Sequence, residues 1–198
     1  MARSRAKDHG EKRDAILHHA AVVFARDGYD RSSMASLAAE CGISKALLYH
    51  YHASKEALLF EILRDHLQAL VDAVEEANEP DLAPEERLET LVVSLLDAYR
   101  DADAEHKVQL QALQLLPEAE QQQLKALERR LVAMFADAVR AVEPDLFERT
   151  ALIKPVTMSL FGMLNWVYMW FRDGGPVSRE DYGKLATRML VGGIRHLK

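Results

Sequence analysis

The sequence has little cysteine and no long apolar run. Its 198 residues include one cysteine, Cys41, which excludes an internal disulfide and a thiolate metal site. No window of about 18 uncharged apolar residues occurs, so we expect no membrane-spanning helix. The basic N-terminus has no apolar segment behind it and lacks the pattern of a secretory signal. We therefore expect a cytoplasmic protein.

Motifs of the common enzyme classes are also missing. The sequence contains no Gly-x-Ser-x-Gly, P-loop or dinucleotide-binding pattern. A helical metalloenzyme needs repeated ligand pairs at Glu-x-x-His spacing, whereas the nearest such pair, Asp103 and His106, occurs once. We expect no catalytic residue, no metal site and no cofactor.

Charge is distributed unevenly along the chain. Residues 1–55 hold nine Lys/Arg and six Asp/Glu, a net charge of +3, whereas residues 56–198 hold 16 against 25, a net charge of -9. A basic end on an acidic body indicates a polyanion-binding part joined to a part with another role.

Apolar residues recur at helical spacing along nearly the whole chain, and no alternating strand of useful length occurs. The predicted fold is therefore all-α, with about nine helices. The pattern predicts one long apolar helix over residues 152–171, and a last helix follows Ser178. Glycine and proline mark predicted ends at Gly28, Gly42, Pro117 and Pro144. Serines that can cap helices are Ser33, Ser44, Ser54 and Ser178.

The stretch CGISKALLYHYHASKEALL, residues 41–59, concentrates basic and aromatic hydrogen-bonding groups around one short helix. Two short helices joined by a glycine turn of about three residues have helix-turn-helix spacing, in which the second helix enters the DNA major groove. Ile43 and Leu48 would face the core, and the side chains pointing outward would be those of Lys45, Ala46, Tyr49 and His50. This spacing alone is also found in ordinary helical surfaces.

Tyrosine hydroxyls on stiff rings suit contacts that fix register against phosphates, and Tyr49 and Tyr51 offer two of them. Lys55 lies in the first turn of the next helix, where free backbone N–H groups and a lysine can hold a phosphate. We therefore divide the chain into a three-helix DNA-binding domain, residues 1–55, and a larger effector-binding and dimerisation bundle, residues 56–198.

The order and spacing of several landmarks resemble the DNA-binding domain of the tetracycline-repressor (TetR/AcrR) family of transcriptional regulators. These landmarks are Phe24, Gly28–Tyr29, Ser33–Met34, Leu37–Ala38, Gly42–Ile43–Ser44, Tyr49, Tyr51, Ser54–Lys55–Glu56 and Leu58. The resemblance implies a homodimer with one recognition helix per subunit and double-stranded operator DNA as its partner. By the family pattern, the residues that contact the DNA backbone are Ser33, Ser44, Tyr49, Tyr51 and Lys55. Those that face base edges are Lys45, Ala46, Leu47 and His50.

Two positions depart from the family pattern. The family usually has Phe at the position of His52, so this histidine is either a partly buried, satisfied ring or an added DNA contact, and we favour the first. Leu47 replaces a commoner small hydroxyl residue and would meet a thymine methyl group. The basic tail residues Arg3, Arg5 and Lys7 are interpreted as disordered, with contact to the minor groove as the alternative.

The C-terminal helices carry more apolar residues than one stripe requires. Residues 158–171 are apolar almost all round, and a helix of this kind is buried on all sides. Packing against the same subunit and against a partner subunit would achieve this, with Gly162, Gly192 and Gly193 permitting close contact. The sequence therefore predicts homodimerisation.

Polar groups among apolar neighbours are the usual composition of a small-molecule pocket, although plain packing explains these residues equally well. The candidate effector-binding residues are His106, Gln109, Leu113, Phe161, Asn165, Trp166, Tyr168 and Trp170.

The run NWVYMWFR followed by GG is similar to the C-terminal domain of family members that sense CoA thioesters, such as phenylacetate-pathway repressors. This similarity implies a repressor that an acyl-CoA or aromatic-CoA thioester releases from its operator. A regulator of an efflux or stress gene that responds to a hydrophobic drug-like ligand is the alternative. A helical scaffold without DNA binding is the alternative from another class.

Overall fold

A computed structural model describes the backbone of residues 2–197 and the side chains of residues 9–197. The side chains of Arg3, Arg5 and Lys7 lie outside this range. Every regular element of the described chain is helical, so the predicted all-α class is confirmed. The α-helices are α1 (Ala2–Asp27), α2 (Met34–Glu40), α3 (Lys45–Tyr51), α4 (Lys55–Glu76), α5 (Pro84–Ala98), α6 (Asp103–Ala112), α7 (Glu118–Val142), α8 (Pro144–Arg149), α9 (Ile153–Asn165), α10 (Val167–Trp170) and α11 (Arg179–Ile194), and a short 3-10 turn spans Leu113–Leu115.

All four predicted serine caps are formed. Each serine hydroxyl accepts a hydrogen bond from a backbone N–H in the first turn of its helix, which would otherwise lack a partner. The bonded pairs are Ser33 with Ser36 (3.1 Å), Ser44 with Leu47 (3.1 Å), Ser54 with Ala57 (3.1 Å) and Ser178 with Asp181 (3.0 Å). The starts of these four helices are therefore fixed by local sequence.

Two helical boundaries differ from the predicted ones. Pro144 was predicted only as the end of α7. It also occupies the first position of α8, where a backbone N–H would have no partner within the helix. The apolar segment predicted as one helix over residues 152–171 is interrupted at Trp166, whose N–H bonds to Leu164. Apolar periodicity continues through the interruption because both sides remain helical, so the pattern could not reveal it.

The first compact unit consists of the chain up to Leu67 together with Asp101–Lys125. In this unit α1 packs against α6 and α2, and α2 packs against α3. Its buried apolar residues include Phe24, Leu37, Leu48, Leu59 and Ile62. This unit is defined by packing within the chain. The functional division at residue 55 stays a prediction.

The second compact unit consists of Gln68–Arg100 and Ala126–Lys198. Here α11 packs along α5 and against α9. Gly183 makes the approach of α11 to α5 possible, because a Cβ at this position would lie 3.0 Å from Val93 and 3.3 Å from Leu96. A Cβ at Gly162, Gly192 or Gly193 would meet nothing within 4 Å in this chain.

Among the described residues, no helix is both long enough and apolar enough to cross a bilayer.

Candidate nucleic-acid interface

The outward side of α3 carries the residues that the sequence assigned to it. Leu48 has no exposed surface and anchors the helix in the core of the first unit, while Ile43 before it is half-buried. The Tyr49 side chain is 46% exposed, and the Lys45 Nζ lies 5.8 Å from its ring centroid. The other exposed residues of this side are Ala46, Leu47 and His50. A short helix with one buried anchor thus presents basic, aromatic and apolar groups to solvent.

The serines expected to contact DNA phosphates also cap helices. Ser33 and Ser44 are exposed, and each hydroxyl accepts a backbone N–H at the start of α2 or α3. A serine hydroxyl has one donor and two acceptor positions, so it can accept the capping bond and still donate to a phosphate oxygen. For Ser44, the capping bond therefore orients the hydroxyl and leaves its O–H donor available.

Lys55 is tied into the fold more closely than the sequence suggested. Its Nζ donates to the backbone carbonyls of Tyr29 at 2.8 Å and Ser32 at 2.9 Å. The same ammonium lies 4.1 Å from the Tyr29 ring centroid, a cation–π contact. Two of its three donors thus hold the connection between α1 and α2, and a phosphate contact would use the third.

His52, which replaces the usual aromatic residue, is 1% exposed and forms the C-cap of α3. Its Nδ1 lies 3.2 Å from Glu61 Oε1 on α4. Arg13 on α1 donates to Glu61 at 2.8 Å and to Asp65 at 2.7 Å. A polar chain therefore links the end of α3 to α4 and α1, in agreement with the interpretation of His52 as a buried ring.

Two residues that support this interface were not assigned a role from the sequence: Arg13 and Glu61. Arg13 and Glu61 are 48 positions apart, and each taken alone has the pattern of an ordinary solvated charge on a helix. Only the packing of α1 beside α4 makes them partners, so no local signal could have identified them.

Three candidate effector residues, His106, Gln109 and Leu113, lie in the first unit. His106 is 2% exposed, and its ring centroid is 5.9 Å from that of His66 on α4. Burial and the neighbouring His106 lower the pKa of His66 to about 3. The His66 ring is therefore neutral at physiological pH.

The other five candidates lie in the second unit. Asn165 accepts a hydrogen bond of 2.9 Å from the hydroxyl of Tyr99, whose pKa is raised by burial. Phe161 is buried and packs edge-on against Phe135, with ring centroids 5.1 Å apart. Trp166, in contrast, is 59% exposed.

Trp166 and Trp170 were expected to be buried between this chain and a partner subunit, and within this chain alone both are exposed. The Trp166 ring centroid is 6.3 Å from that of the half-buried Tyr168, and the Trp170 ring packs edge-on against Tyr182 at 5.0 Å. Burial of these two rings therefore stays a prediction for the assembled dimer.

A cleft of about 550 Å³ in the second unit is lined by different residues. Its walls come from α5 and α11, and the lining includes Glu86, Glu89, Asp97, Arg179 and Lys184. Charges of both signs dominate this cleft, unlike the mostly apolar walls typical of small-molecule pockets. The candidate effector residues do not line it.

The geometry of α3 and its supports has the form of a DNA-reading helix-turn-helix, and both parts of the chain match known family models. Residues 16–62 match the model for bacterial regulatory proteins of the tetR family. Residues 81–194, more than half of the chain, match the tetracyclin repressor-like C-terminal domain. The chain belongs to the TetR family. It is a DNA-binding transcriptional regulator.

Similar proteins cover nearly the whole length of this regulator. The chain is 27% identical over 198 residues to the HTH-type transcriptional repressor KstR2 of Mycolicibacterium smegmatis, covering 98% of this chain and 96% of that protein. A solved TetR-family regulator from Bordetella parapertussis is 34% identical with a TM-score of 0.86, covering 94% of this chain and 97% of the other. AibR in complex with isovaleryl coenzyme A and operator DNA is 26% identical with a TM-score of 0.77, covering 91% of this chain and 98% of the other.

Proposed function

We propose that this protein is a cytoplasmic, homodimeric repressor that binds operator DNA through α3 of each subunit and leaves it when a small molecule binds. The observation that carries the proposal is the exposed side of α3, where Lys45, Tyr49 and His50 project from a helix anchored by Leu48. Lysine and tyrosine donors on such a helix suit base-edge and phosphate contacts.

A second copy of the chain would bind to the exposed apolar side of the second unit. On α11, Met189 is 60% exposed and Leu185 is 50% exposed. On α9 and α10, the exposed residues include Met158 and Met169. Gly162, Gly192 and Gly193 have open space above their Cα atoms, which leaves room for close approach of a partner helix. A two-fold dimer places two recognition helices on successive major grooves, about 34 to 36 Å apart.

The effector that we propose is an acyl-CoA or aromatic-CoA thioester, bound in residues 56–198. The similarity to AibR, whose structure contains isovaleryl coenzyme A, supports this class. The similarity to KstR2 supports the sign of regulation, since that relative is a repressor. The residues proposed to contribute to effector binding remain His106, Gln109, Leu113, Phe161, Asn165, Trp166, Tyr168 and Trp170.

Binding of the purified protein to its own upstream intergenic DNA, measured across a salt series, tests the DNA-binding part. Neutralised phosphates release counterions, so we expect the logarithm of the binding constant to fall linearly with the logarithm of the salt concentration. Equal affinity for random DNA at every salt concentration would contradict operator recognition. Absence of DNA binding at low salt would support a helical scaffold instead.

Titration of the preformed complex with a panel of CoA thioesters, free CoA and hydrophobic drug-like compounds tests the effector class. Release by one thioester and not by free CoA is the expected result. Release by a drug-like compound alone would replace the thioester with that class. Trp166→Ala and Asn165→Ala should then impair release more than DNA affinity, and the reverse order would contradict the assignment of these residues.

A further inference from the structure

The N-terminal part of α1 lies beside the C-terminal end of the recognition helix. The ring centroid of His9 is 4.6 Å from that of Tyr51, with 36° between the ring planes. His9 is also 6.4 Å from His50 in an edge-on arrangement, and His50 lies 5.7 Å from Tyr51. These three residues, the His9 cluster, therefore form one aromatic surface from two helices that are far apart in the sequence.

The His9 cluster includes two residues of the proposed DNA-binding surface. His50 is exposed on the outward side of α3, and Tyr51 is proposed to contact a phosphate. A phosphate that accepts a hydrogen bond from the Tyr51 hydroxyl would lie close to the exposed His9 ring, because the two rings are in contact. An imidazolium donates from both ring nitrogens and carries a positive charge, both of which suit a phosphate.

We propose that His9 is a further DNA-backbone contact and that, with His50, which the family pattern would place at a base edge, it binds operator phosphate in a proton-dependent way. This inference rests on the proposed DNA-binding function of α3. Histidine is the side chain that ordinarily changes charge between about pH 5 and pH 8. Operator affinity should therefore rise as the pH falls, and formation of the complex should take up protons.

The charged groups around the cluster come from α1 and α4. Along α1, Lys12 and Arg13 follow His9 by three and four positions and share its side of the helix. The carboxylates of Glu61 and Asp65 on α4 are bonded to Arg13, and Glu61 also contacts His52. From α3, the cluster is faced by His50 and Tyr51.

A DNA phosphate is negatively charged and accepts hydrogen bonds, so it favours the protonated form of a histidine that lies beside it. DNA binding and proton binding then strengthen each other, since the coupling between two ligands is reciprocal.

Operator affinity of the wild type and of His9→Gln, measured at about pH 6 and about pH 8 across a salt series, tests the proposal. For the wild type we expect tighter binding at the lower pH. Each additional phosphate neutralised should steepen the salt slope by about 0.9, which is about threefold in affinity over a fourfold change in salt. His9→Gln should lose about half of the pH effect, and His50→Gln should lose a similar share.

Matched variants separate charge from packing. His196→Gln, which removes an exposed histidine of the second unit, should leave the pH effect unchanged. His9→Lys keeps a positive charge at both pH values, so it should recover at about pH 8 about half of the affinity that the wild type gains at about pH 6 and should retain only the share of the pH effect that His50 contributes. Thermal unfolding of each variant checks that the fold is retained.

Two results would overturn the inference while leaving the DNA-binding function in place. One is a pH effect and salt slope of His9→Gln equal to those of the wild type. The other is an equal loss of affinity at both pH values with an unchanged slope, which would reduce His9 to a packing residue for Tyr51. A wild type that binds no DNA at either pH would remove the proposed function itself.

Discussion

The first unit presents a polar, hydrogen-bonded surface, whereas the second presents an apolar one. Around α3, serine caps, the Lys55 contacts and the chain from Arg13 through Glu61 to His52 fix side chains in place within one subunit. Around α9 and α11, large apolar side chains and open glycines are exposed. Capping bonds and ion pairs complete the first surface, but an exposed apolar surface of this kind indicates a missing partner. One subunit therefore forms its recognition helix without help from a partner, whereas the apolar surface is the one that the proposed dimer would cover.

The largest expected effect on dimer stability comes from placing a charge on the apolar surface of the second unit. Met189→Asp would bury an unpaired carboxylate between subunits, so we expect the dimer to weaken at least about 100-fold, equivalent to roughly 3 kcal/mol. Operator binding should fall with it, while the helical content of the subunit is retained. Sedimentation equilibrium and DNA binding measure the two effects.

Ala126→Asp is the matched control, since it adds the same charge at an exposed position of α7. It should leave both the dimer and operator binding intact. A dimer of Met189→Asp as stable as the wild type would place the subunit interface elsewhere.

On the polar surface, Tyr49 is the side chain whose loss should cost the most affinity. Tyr49→Ala removes an exposed ring and hydroxyl without touching the buried Leu48, so we expect roughly 10- to 50-fold weaker operator binding, or about 1.5 to 2.5 kcal/mol, with unchanged stability. Fluorescence anisotropy with labelled operator measures it. Tyr49→Phe separates the hydroxyl from the ring, and full affinity of both variants would exclude Tyr49 from the interface.

The buried His66 predicts how the stability of the protein depends on pH. Its pKa in the folded protein is about 3, below the ordinary value of 6.5, so the unfolded chain binds a proton more readily in this window. Stability should therefore fall as the pH falls below about 6.5, by about 2 kcal/mol on reaching about pH 5. Urea unfolding across this range measures the effect.

His66→Phe removes the titrating ring at the same position and should flatten this part of the pH dependence. The exposed His19 provides the control, because His19→Phe should leave the slope as it is in the wild type. An equal slope in wild type and His66→Phe would show that other groups control acid stability.

The smallest expected effect is a difference in stability between variants of two lysines of the polar surface. Lys55→Met removes the ammonium that donates to the carbonyls of Tyr29 and Ser32, so we expect about 1 to 2 kcal/mol lower stability as well as weaker DNA binding. Lys45→Met should weaken DNA binding with no loss of stability, because Lys45 is exposed on α3. Urea unfolding and anisotropy on both variants measure the contrast. Equal stability of the two variants would contradict the bracing role of Lys55.

Local signals predicted most of the first unit. Ser33, Ser44 and Ser54 cap helices because the hydroxyl bonds three residues away, a range that sequence spacing describes directly. The exposed and buried positions of α3 follow equally from helical periodicity around Leu48. Contacts between distant segments, such as Arg13 with Glu61, were not predictable because nothing in either segment specifies the other.

In the second unit, the details of structure were less predictable from local sequence. Its helices were predicted, but α8 and the interruption at Trp166 were not. The close contact of α11 with α5 occurs at Gly183, which the sequence analysis did not single out, and the expected role of Gly162, Gly192 and Gly193 in contact with a partner subunit stays a prediction. Small residues permit close approach wherever they occur, and only the packing decides which of them is used.

The sequence by itself determined the all-helical class, the starts of the four serine-capped helices and the family, because hydrophobic periodicity and capping act over three or four residues and leave a direct imprint on the order of residue types. The tertiary structure decided that His52 is bonded to Glu61, that Lys55 braces the α1–α2 connection and that His9 reaches Tyr51. These contacts depend on how helices pack against one another. That packing is set by the combined burial of many apolar side chains, so no short stretch of sequence contains it.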